Sequence, residues 1–153
     1  MRDFKDASNY VEDIYKNLNK IAQDVVSKHT KEIDRIIKSV SVDMPNEELR
    51  KASLELAIAN FYLSELREQS ALKSDCAESV KKETQALEFN NASGTQAQKQ
   101  NVAITSSNSE QMVALLYKNI NSLFAVKLDE SRRMINTITN ILISRAADKK
   151  SNS

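Results

Sequence analysis

The sequence predicts an all-α fold built from three long helices. It contains one Gly and one Pro in 153 residues, against usual shares of about 7% and 5%. Strand-connecting turns rely on Gly and Pro for their φ angles, so a β or α/β fold is not expected. Apolar residues also recur at helical spacing along three segments. The 41% hydrophobic and 28% charged shares are typical of a folded, helix-rich chain.

The first helix is predicted over residues 9–40, with Ser8 as its N-cap. Its apolar positions advance in steps of three and four residues with an 11-residue repeat, which gives a straight or slightly right-handed seam. These positions are Val11, Ile14, Leu18, Ala22, Val25, His29, Ile33, Ile36 and Val40. His29 is interpreted as a partly buried core histidine rather than a metal ligand or a catalytic group.

The second helix is predicted over residues 45–89, with Asp43 as its cap and Pro45 in its first turn. The short link before it predicts an antiparallel hairpin with the first helix. Its first half carries a heptad seam at Leu49, Ala52, Leu56, Ala59, Leu63 and Leu66, and a second apolar face at Leu54, Ile58, Phe61 and Tyr62. Because more than half of the circumference is apolar, this half is predicted to be buried between at least two partners.

The second half of this helix keeps only a narrow apolar stripe, which is either a protruding arm or a contact with another subunit. We predict the contact, through Leu72, Cys76, Val80 and Leu87. Cys76 is interpreted as a small buried hydrophobe rather than a reactive thiol. A single cysteine excludes an intramolecular disulfide and fits a reducing compartment.

Residues 90–106 are predicted to be a mobile loop, either functional or disordered. Ser107 and Glu110 then have the spacing of a capping box, which predicts a third helix over residues 108–147. Its seam is Val113, Leu116, Ile120, Phe124, Leu128, Ser131, Ile135, Ile138 and Leu142. Residues 1–147 would form a single helical domain, and the tail 148–153 is expected to fray.

The residue types needed for common site chemistry are scarce. One His and one Cys cannot supply the usual zinc ligand sets, and one Gly excludes the glycine-rich phosphate loops. We therefore predict a non-enzymatic protein with no cofactor and no small-molecule substrate. No apolar run approaches the length of a membrane span, and the first ten residues lack the apolar region of a signal peptide. The expected location is the cytoplasm, or a host-cell cytoplasm if the protein is viral.

Charge is balanced overall at +1 but unevenly placed. Residues 110–153 carry seven basic and four acidic groups, whereas residues 44–90 carry six and nine. The basic residues weighed as a possible phosphate strip are Lys127, Arg132, Arg133, Arg145, Lys149 and Lys150, of which the first four are the candidate nucleic-acid contacts. They form either a solvated face, with Asp129 and Glu130 as local partners, or a phosphate-contacting strip that an oligomer would multiply.

Three stretches carry a resemblance to a known family. They are LRKASLELAIANFYLSELREQSALKSDCAESVKKE, then QKQNVAITSSNSEQ, then LLYKNINSLFAVKLDESRRMINTITNIL. This order of a long mixed helix, a polar linker and a helix with a basic stretch resembles the UvsY-type recombination mediators of tailed phages. The chain departs from that pattern in its long first helix and in its few Arg and Lys residues.

The resemblance implies an oligomeric, non-enzymatic protein that binds single-stranded DNA. Such a protein helps to load a recombinase onto strands covered by single-strand-binding protein. Carried over to this chain, it nominates Lys99 in the linker, and Arg132 and Arg133 on the last helix, as nucleic-acid contacts.

The alternative is a structural, adaptor or assembly-scaffold protein that works only through helix–helix contacts. In both hypotheses the chain is an elongated antiparallel bundle, because its apolar stripes exceed what three helices of one chain can cover. A homo-oligomer is therefore expected. Cations along one continuous surface would favour DNA binding, whereas cations paired with acids of the second helix would favour the adaptor.

Overall fold

A computed structural model describes residues 4–151 of the chain. Within this range it contains four helices and no strand, which confirms the all-α prediction. The helices are α1 (Phe4–Ser39), α2 (Asn46–Asn91), α3 (Gln96–Ser106) and α4 (Asn108–Ser151). The predicted count of three was one helix too few. The last helix also continues through Ser151, where a frayed tail was predicted from residue 148.

The ends of α1 and α2 follow from local hydrogen bonds. Because α1 begins at Phe4, Ser8 lies inside the helix and is not its N-cap, contrary to the prediction. In the following link the Met44 amide donates to the Ser41 carbonyl at 3.3 Å, and the Leu49 amide donates to the Pro45 carbonyl at 3.0 Å. Pro45 therefore leads directly into α2, as its fixed φ angle favours.

Helix α3 lies where the sequence analysis placed a loop. Thr95 is its N-cap: the Thr95 hydroxyl accepts from the Gln98 amide at 3.3 Å, and the Gln98 side chain accepts from the Thr95 amide at 2.9 Å. This reciprocal pair is a capping box. Gly94 precedes it with φ of +109°, a conformation that side chains disfavour. The true connection is only the short segment 92–95.

The capping box predicted at Ser107 and Glu110 does not form. Ser107 ends α3 as its C-cap, and its amide and hydroxyl both donate to the Ile104 carbonyl. The Ser107 hydroxyl also accepts from the Gln85 side chain at 2.9 Å, and a Glu110 carboxylate oxygen accepts from the Thr84 hydroxyl at 3.2 Å. Both residues are thus committed to contacts with α2.

The described chain divides into two compact units. Unit 1 comprises residues 1–24 and 68–122, and unit 2 comprises residues 25–67 and 123–153. Helices α1, α2 and α4 each contribute one stretch to each unit, and α3 belongs to unit 1.

Unit 2 has a core of mainly large apolar side chains. Its buried residues are Val26, Thr30, Ile33, Ile36, Leu49, Ala52, Leu56, Leu63, Phe124, Leu128, Ser131 and Ile138. The predicted α2 seam is therefore confirmed at Leu49, Ala52, Leu56 and Leu63, whereas Ala59 and Leu66 are half-buried. The central positions predicted for α4 are confirmed at Phe124, Leu128, Ser131 and Ile138. In α1 the buried seam runs through Val26 and Thr30, one residue beyond the predicted Val25 and His29, and His29 is exposed.

Unit 1 is packed differently. Its buried residues are mainly small: Ala22, Ser70, Ala77, Ala103, Ser107, Ala114 and Ile120. Small side chains allow helix axes to approach closely. Hydrogen bonds across α2 and α4 accompany this packing, from Ser74 to the Ala114 carbonyl at 3.2 Å and from Lys81 to the Gln111 side chain at 2.6 Å. Unit 1 thus combines small buried side chains with polar contacts between α2 and α4.

Candidate nucleic-acid interface

Lys127 is held between two carboxylates of unit 2. Its Nζ atom lies 2.8 Å from Asp34 Oδ1 on α1 and 2.8 Å from Glu130 Oε2 on α4. Partial burial lowers the pKa of Lys127, and hydrogen bonds to the two carboxylates raise it, with a net increase. The ammonium group is therefore neutralised locally, which argues against a direct phosphate contact.

Arg145 ties the end of α4 to the link between α1 and α2. Its guanidinium donates to the Val42 carbonyl, to the Met44 carbonyl at 2.8 Å and to Asn46 Oδ1 at 2.6 Å. The side chain is half-buried. Since three of its donors already have acceptors, Arg145 has a structural role in unit 2.

Arg132 and Arg133 are the accessible cations of α4 among the predicted contacts. Arg133 Nη2 lies 2.6 Å from Asp129 Oδ2, with both side chains well exposed, and an exposed pair of this kind contributes only about 0–1 kcal/mol. Within residues 4–151, Arg132 forms no hydrogen bond or ion pair. A phosphate group can therefore reach either guanidinium group at little energetic cost.

Lys99 lies on α3 in unit 1, whereas the other four predicted contacts lie in unit 2. Unit 2 has thirteen basic and ten acidic residues, and unit 1 has nine and eleven. The basic character predicted for the C-terminal segment is thus a property of unit 2.

The chain matches no protein-family model, no curated protein and no solved structure. Within the described range, no group of three or more His, Cys, Asp or Glu residues could hold a metal ion. No helix in residues 4–151 combines the length and the apolar character that crossing a membrane requires. What the chain binds is therefore inferred from its own surfaces.

The predicted subunit-contact stripe on α2 is open to solvent. Leu72, Val80 and Leu87 are exposed, and so is Cys76, which corrects the interpretation of Cys76 as a buried hydrophobe. The heptad in this half runs through Ser70 and Ala77 instead, so Cys76 faces outward beside it. The stripe is available for a contact with another chain.

A shallow groove of about 480 Å³ runs beside this stripe in unit 1, lined among others by Cys76, Val80, Val113 and Tyr117. The Lys73 ammonium lies 5.3 Å from the centre of the Tyr117 ring at the edge of this groove, within the range of a cation–π contact. The groove is thus apolar with one cationic edge.

A second exposed apolar surface, on the first half of α2, was not among the predicted site residues. Leu54, Ile58, Phe61 and Tyr62 are exposed, although the sequence analysis expected them to be buried. The signal was present in the sequence, since this half is apolar on two sides. Only one of those sides is covered within the described chain.

We expect the Cys76 thiol to react with a thiol reagent in the native protein without denaturant, because it is exposed. At dilute concentration its labelling rate should be within about tenfold of that of an unfolded control. If the stripe of Leu72, Val80 and Leu87 forms a subunit contact, labelling should slow as the protein concentration rises. Labelling that requires denaturant at every concentration would contradict the exposed position.

Proposed function

We propose that the protein is a non-enzymatic, oligomeric accessory of DNA recombination or replication that binds single-stranded DNA and helps to load a recombinase. The order of helices from Leu49 to Leu142 supports this proposal through its resemblance to UvsY-type mediators. On α4 the proposed DNA contact is narrower than the sequence analysis suggested: it consists of Arg132 and Arg133, since Lys127 and Arg145 are engaged elsewhere. Lys99 on α3 stays a proposed contact in unit 1.

The observation that carries this proposal is the adjacent pair of accessible guanidinium groups on α4. These two arginines alone would give weak binding, because they contact few phosphates. An oligomer that presents several copies to one strand would multiply that weak contact into strong binding. The proposal therefore requires binding and self-association in the same sample.

Fluorescence anisotropy of a labelled single-stranded oligonucleotide tests the proposal, with light scattering on the same sample. The wild-type protein should bind at low salt as an oligomer and lose affinity steeply as salt increases. Replacing both arginines, in Arg132→Ala/Arg133→Ala, should weaken binding at low salt by at least about tenfold. It should also flatten the salt dependence, by about 0.7 in log–log slope for each phosphate interaction that the substitutions remove.

The matched control is Lys149→Ala/Lys150→Ala, which removes two positive charges from the same helix. It should weaken binding much less if the contact is local to Arg132 and Arg133. Equal losses in the two variants would indicate a response to net charge alone. No binding at low salt by a well-formed oligomer would refute the DNA-binding proposal.

A structural or adaptor role is the second candidate function, and a separate observation favours it. Lys127 and Arg145 are paired within the chain, while the apolar residues Leu54, Ile58 and Phe61 on α2 are uncovered. This combination is typical of a protein that binds other helices rather than polyanions. A defined oligomer without any affinity for single-stranded DNA would select this function.

A further inference from the structure

The first half of α2 has two apolar sides, and only one is covered. Leu49, Leu56 and Leu63 are fully buried in unit 2. On the opposite side lies the surface that we call the outer face of α2, formed by Leu54, Ile58, Phe61 and Tyr62. Leu54, Ile58 and Phe61 are 62%, 63% and 78% exposed. Residues three, four and seven apart share one side of a helix, so these side chains form one continuous strip.

One edge of the outer face is fixed by α1. The Tyr62 hydroxyl lies 3.3 Å from Nδ1 of His29, and the centres of the two rings are 6.0 Å apart. The His29 ring also packs edge-on against the buried Phe124, at 6.2 Å between ring centres. Tyr62 is therefore held in place, and a partner would meet a largely preorganised surface.

Opposite charges lie at the two ends of the outer face. Lys51 precedes Ile58 by seven residues, and Glu65 follows it by seven. Both are on the same side of α2 as Ile58, because seven residues make two helical turns. Lys51 Nζ lies 3.9 Å from Glu55 Oε1, and the Lys51 side chain is well exposed. Glu65 forms no ion pair within residues 4–151.

This charge pattern favours a second copy of the chain, with its α2 helix packed antiparallel to the first. In an antiparallel pair of α2 helices with Ile58 on the two-fold axis, Lys51 of each copy lies opposite the partner's Glu65. The same symmetry places Leu54 opposite the partner's Tyr62, so that apolar groups meet apolar groups. A parallel pair would instead place like charges together, which is unfavourable.

The exposed area of the outer face fits a second copy of the chain. Four side chains of this size, each half to three-quarters exposed, offer roughly 500 Å² per chain. Two copies would bury about 1,000 Å² from these side chains alone, and the flanking charged residues add more. Standard specific interfaces begin at about 1,200 Å², and weak, transient ones are smaller, so an outer face of about this size suits a weak, reversible dimer.

We propose that the outer face of α2 is a homodimer interface, in which two α2 helices pack antiparallel across a two-fold axis at Ile58 and are registered by ion pairs between Lys51 and the partner's Glu65. This surface does not include the predicted stripe at Leu72, Cys76, Val80 and Leu87, which begins 14 residues after Ile58. It shares with the proposed function only the assumption of self-association, and DNA plays no part in it.

Sedimentation of the DNA-free protein over a range of concentrations tests the interface. Ile58→Arg should raise the dissociation constant of the dimer at least about 100-fold, because both copies of the apolar side chain at the axis are replaced by charged ones. Ile143→Arg is the matched control, since Ile143 is 62% exposed and belongs to the same unit. It should leave the dissociation constant within about threefold of wild type.

The helix content of both variants should match wild type by circular dichroism, so that a change in association is not a change in folding. An unchanged dissociation constant in Ile58→Arg, or equal losses in both variants, would overturn the proposed interface. A wild-type chain that stays monomeric at all concentrations would overturn it as well.

Charge reversal tests the antiparallel register. Lys51→Glu and Glu65→Lys should each weaken the dimer about five- to tenfold, and the double variant should return to within about threefold of wild type. Failure of the double variant to recover would refute this register even if Ile58 lies in the interface.

A covalent test needs no equilibrium measurement. Residues on a two-fold axis face their own copy, so Ile58→Cys in a Cys76→Ser background should give a disulfide-linked dimer on mild oxidation. Ile143→Cys in the same background should give little. Equal crosslinking of both variants would refute the axis at Ile58.

These tests are separable from the test of DNA binding. Loss of the dimer in Ile58→Arg with no DNA affinity in the wild type would support the interface and refute the DNA proposal. If DNA binding depends on Arg132 and Arg133 and the oligomer is undisturbed in Ile58→Arg, the DNA proposal is supported and the interface is refuted.

Discussion

Phe124→Ala should lower the free energy of unfolding by about 3–5 kcal/mol, the cost typical of removing a buried aromatic ring. Phe124 is 2% exposed and is the largest fully enclosed side chain of unit 2. The cavity left behind would be bordered by His29, whose ring packs against it. Urea denaturation followed by circular dichroism measures the loss, and the thermal midpoint should fall by about 10 °C.

The control is the same substitution at an exposed site. Phe4 is 90% exposed, so Phe4→Ala should change the free energy of unfolding by less than about 0.5 kcal/mol. A loss below about 1 kcal/mol in Phe124→Ala would mean that the ring is not enclosed as described. The chain has two compact units, which could unfold separately. Unfolding should therefore be shown to occur in one coincident transition by different probes before a single free energy of unfolding is assigned.

The heptad of α2 was predictable because its physical cause is local. Leu49, Leu56 and Leu63 recur every seven residues, and each is fully buried. A sequence of large apolar residues at that spacing has few other ways to remove them from water. The same regularity predicted the central seam of α4 through Phe124 and Leu128.

The seam of α1 was harder to predict because two neighbouring rows of residues fit it. Val25 and Val26 differ by one position, and only Val26 is fully buried. The chosen row ended at His29, while the buried row contains Thr30, a polar residue that a hydrophobicity pattern passes over. His29 instead lies at the margin of the core, where it contacts Tyr62 and Phe124.

Helix α3 was missed because its composition resembles that of a loop. Most of its residues are polar and the only Gly of the sequence lies just before it, which together favoured a mobile segment. The capping box of Thr95 and Gln98 was visible in the sequence. The competing pair Ser107 and Glu110 has the same spacing, and only the structure shows that these two residues contact α2 instead. Such long-range partners leave no mark in local sequence.

The candidate site was predictable in position but not in composition. A basic segment near the end of the chain is evident from residue types alone. Which cations remain accessible depends on acceptors far away in sequence: Asp34 lies 2.8 Å from Lys127, and the carbonyls of Val42 and Met44 accept from Arg145. Long-range ion pairs and carbonyl contacts thus reduce four candidates on α4 to Arg132 and Arg133.

The two cores differ in the size of the side chains that they enclose. Unit 2 encloses large side chains, and unit 1 encloses mainly Ala and Ser together with hydrogen bonds such as Lys81 to Gln111. The fully enclosed large side chains thus lie mainly in unit 2, and burial of apolar area is the main source of stability.

Arg145→Ala should lower the free energy of unfolding by about 2–3 kcal/mol. The substitution removes charge-assisted hydrogen bonds to the Val42 and Met44 carbonyls and to Asn46, and bonds of this kind contribute about 1.5–3 kcal/mol each when well shielded. The expected total is less than their sum, because the link is partly exposed and water can replace the missing donors. Urea denaturation of the purified variant measures the change.

Two comparisons separate a structural role for Arg145 from a phosphate contact. Arg145→Lys keeps the charge but loses the planar fork that reaches three acceptors, so it should recover less than half of the lost stability. Arg132→Ala removes an exposed arginine without a partner in the described chain, so it should leave stability within about 0.5 kcal/mol of wild type. In the anisotropy assay the order should reverse: Arg145→Ala should bind single-stranded DNA like wild type, and Arg132→Ala more weakly. If Arg145→Ala is as stable as wild type but loses DNA affinity, then its hydrogen bonds to the link are incidental and Arg145 is a phosphate contact.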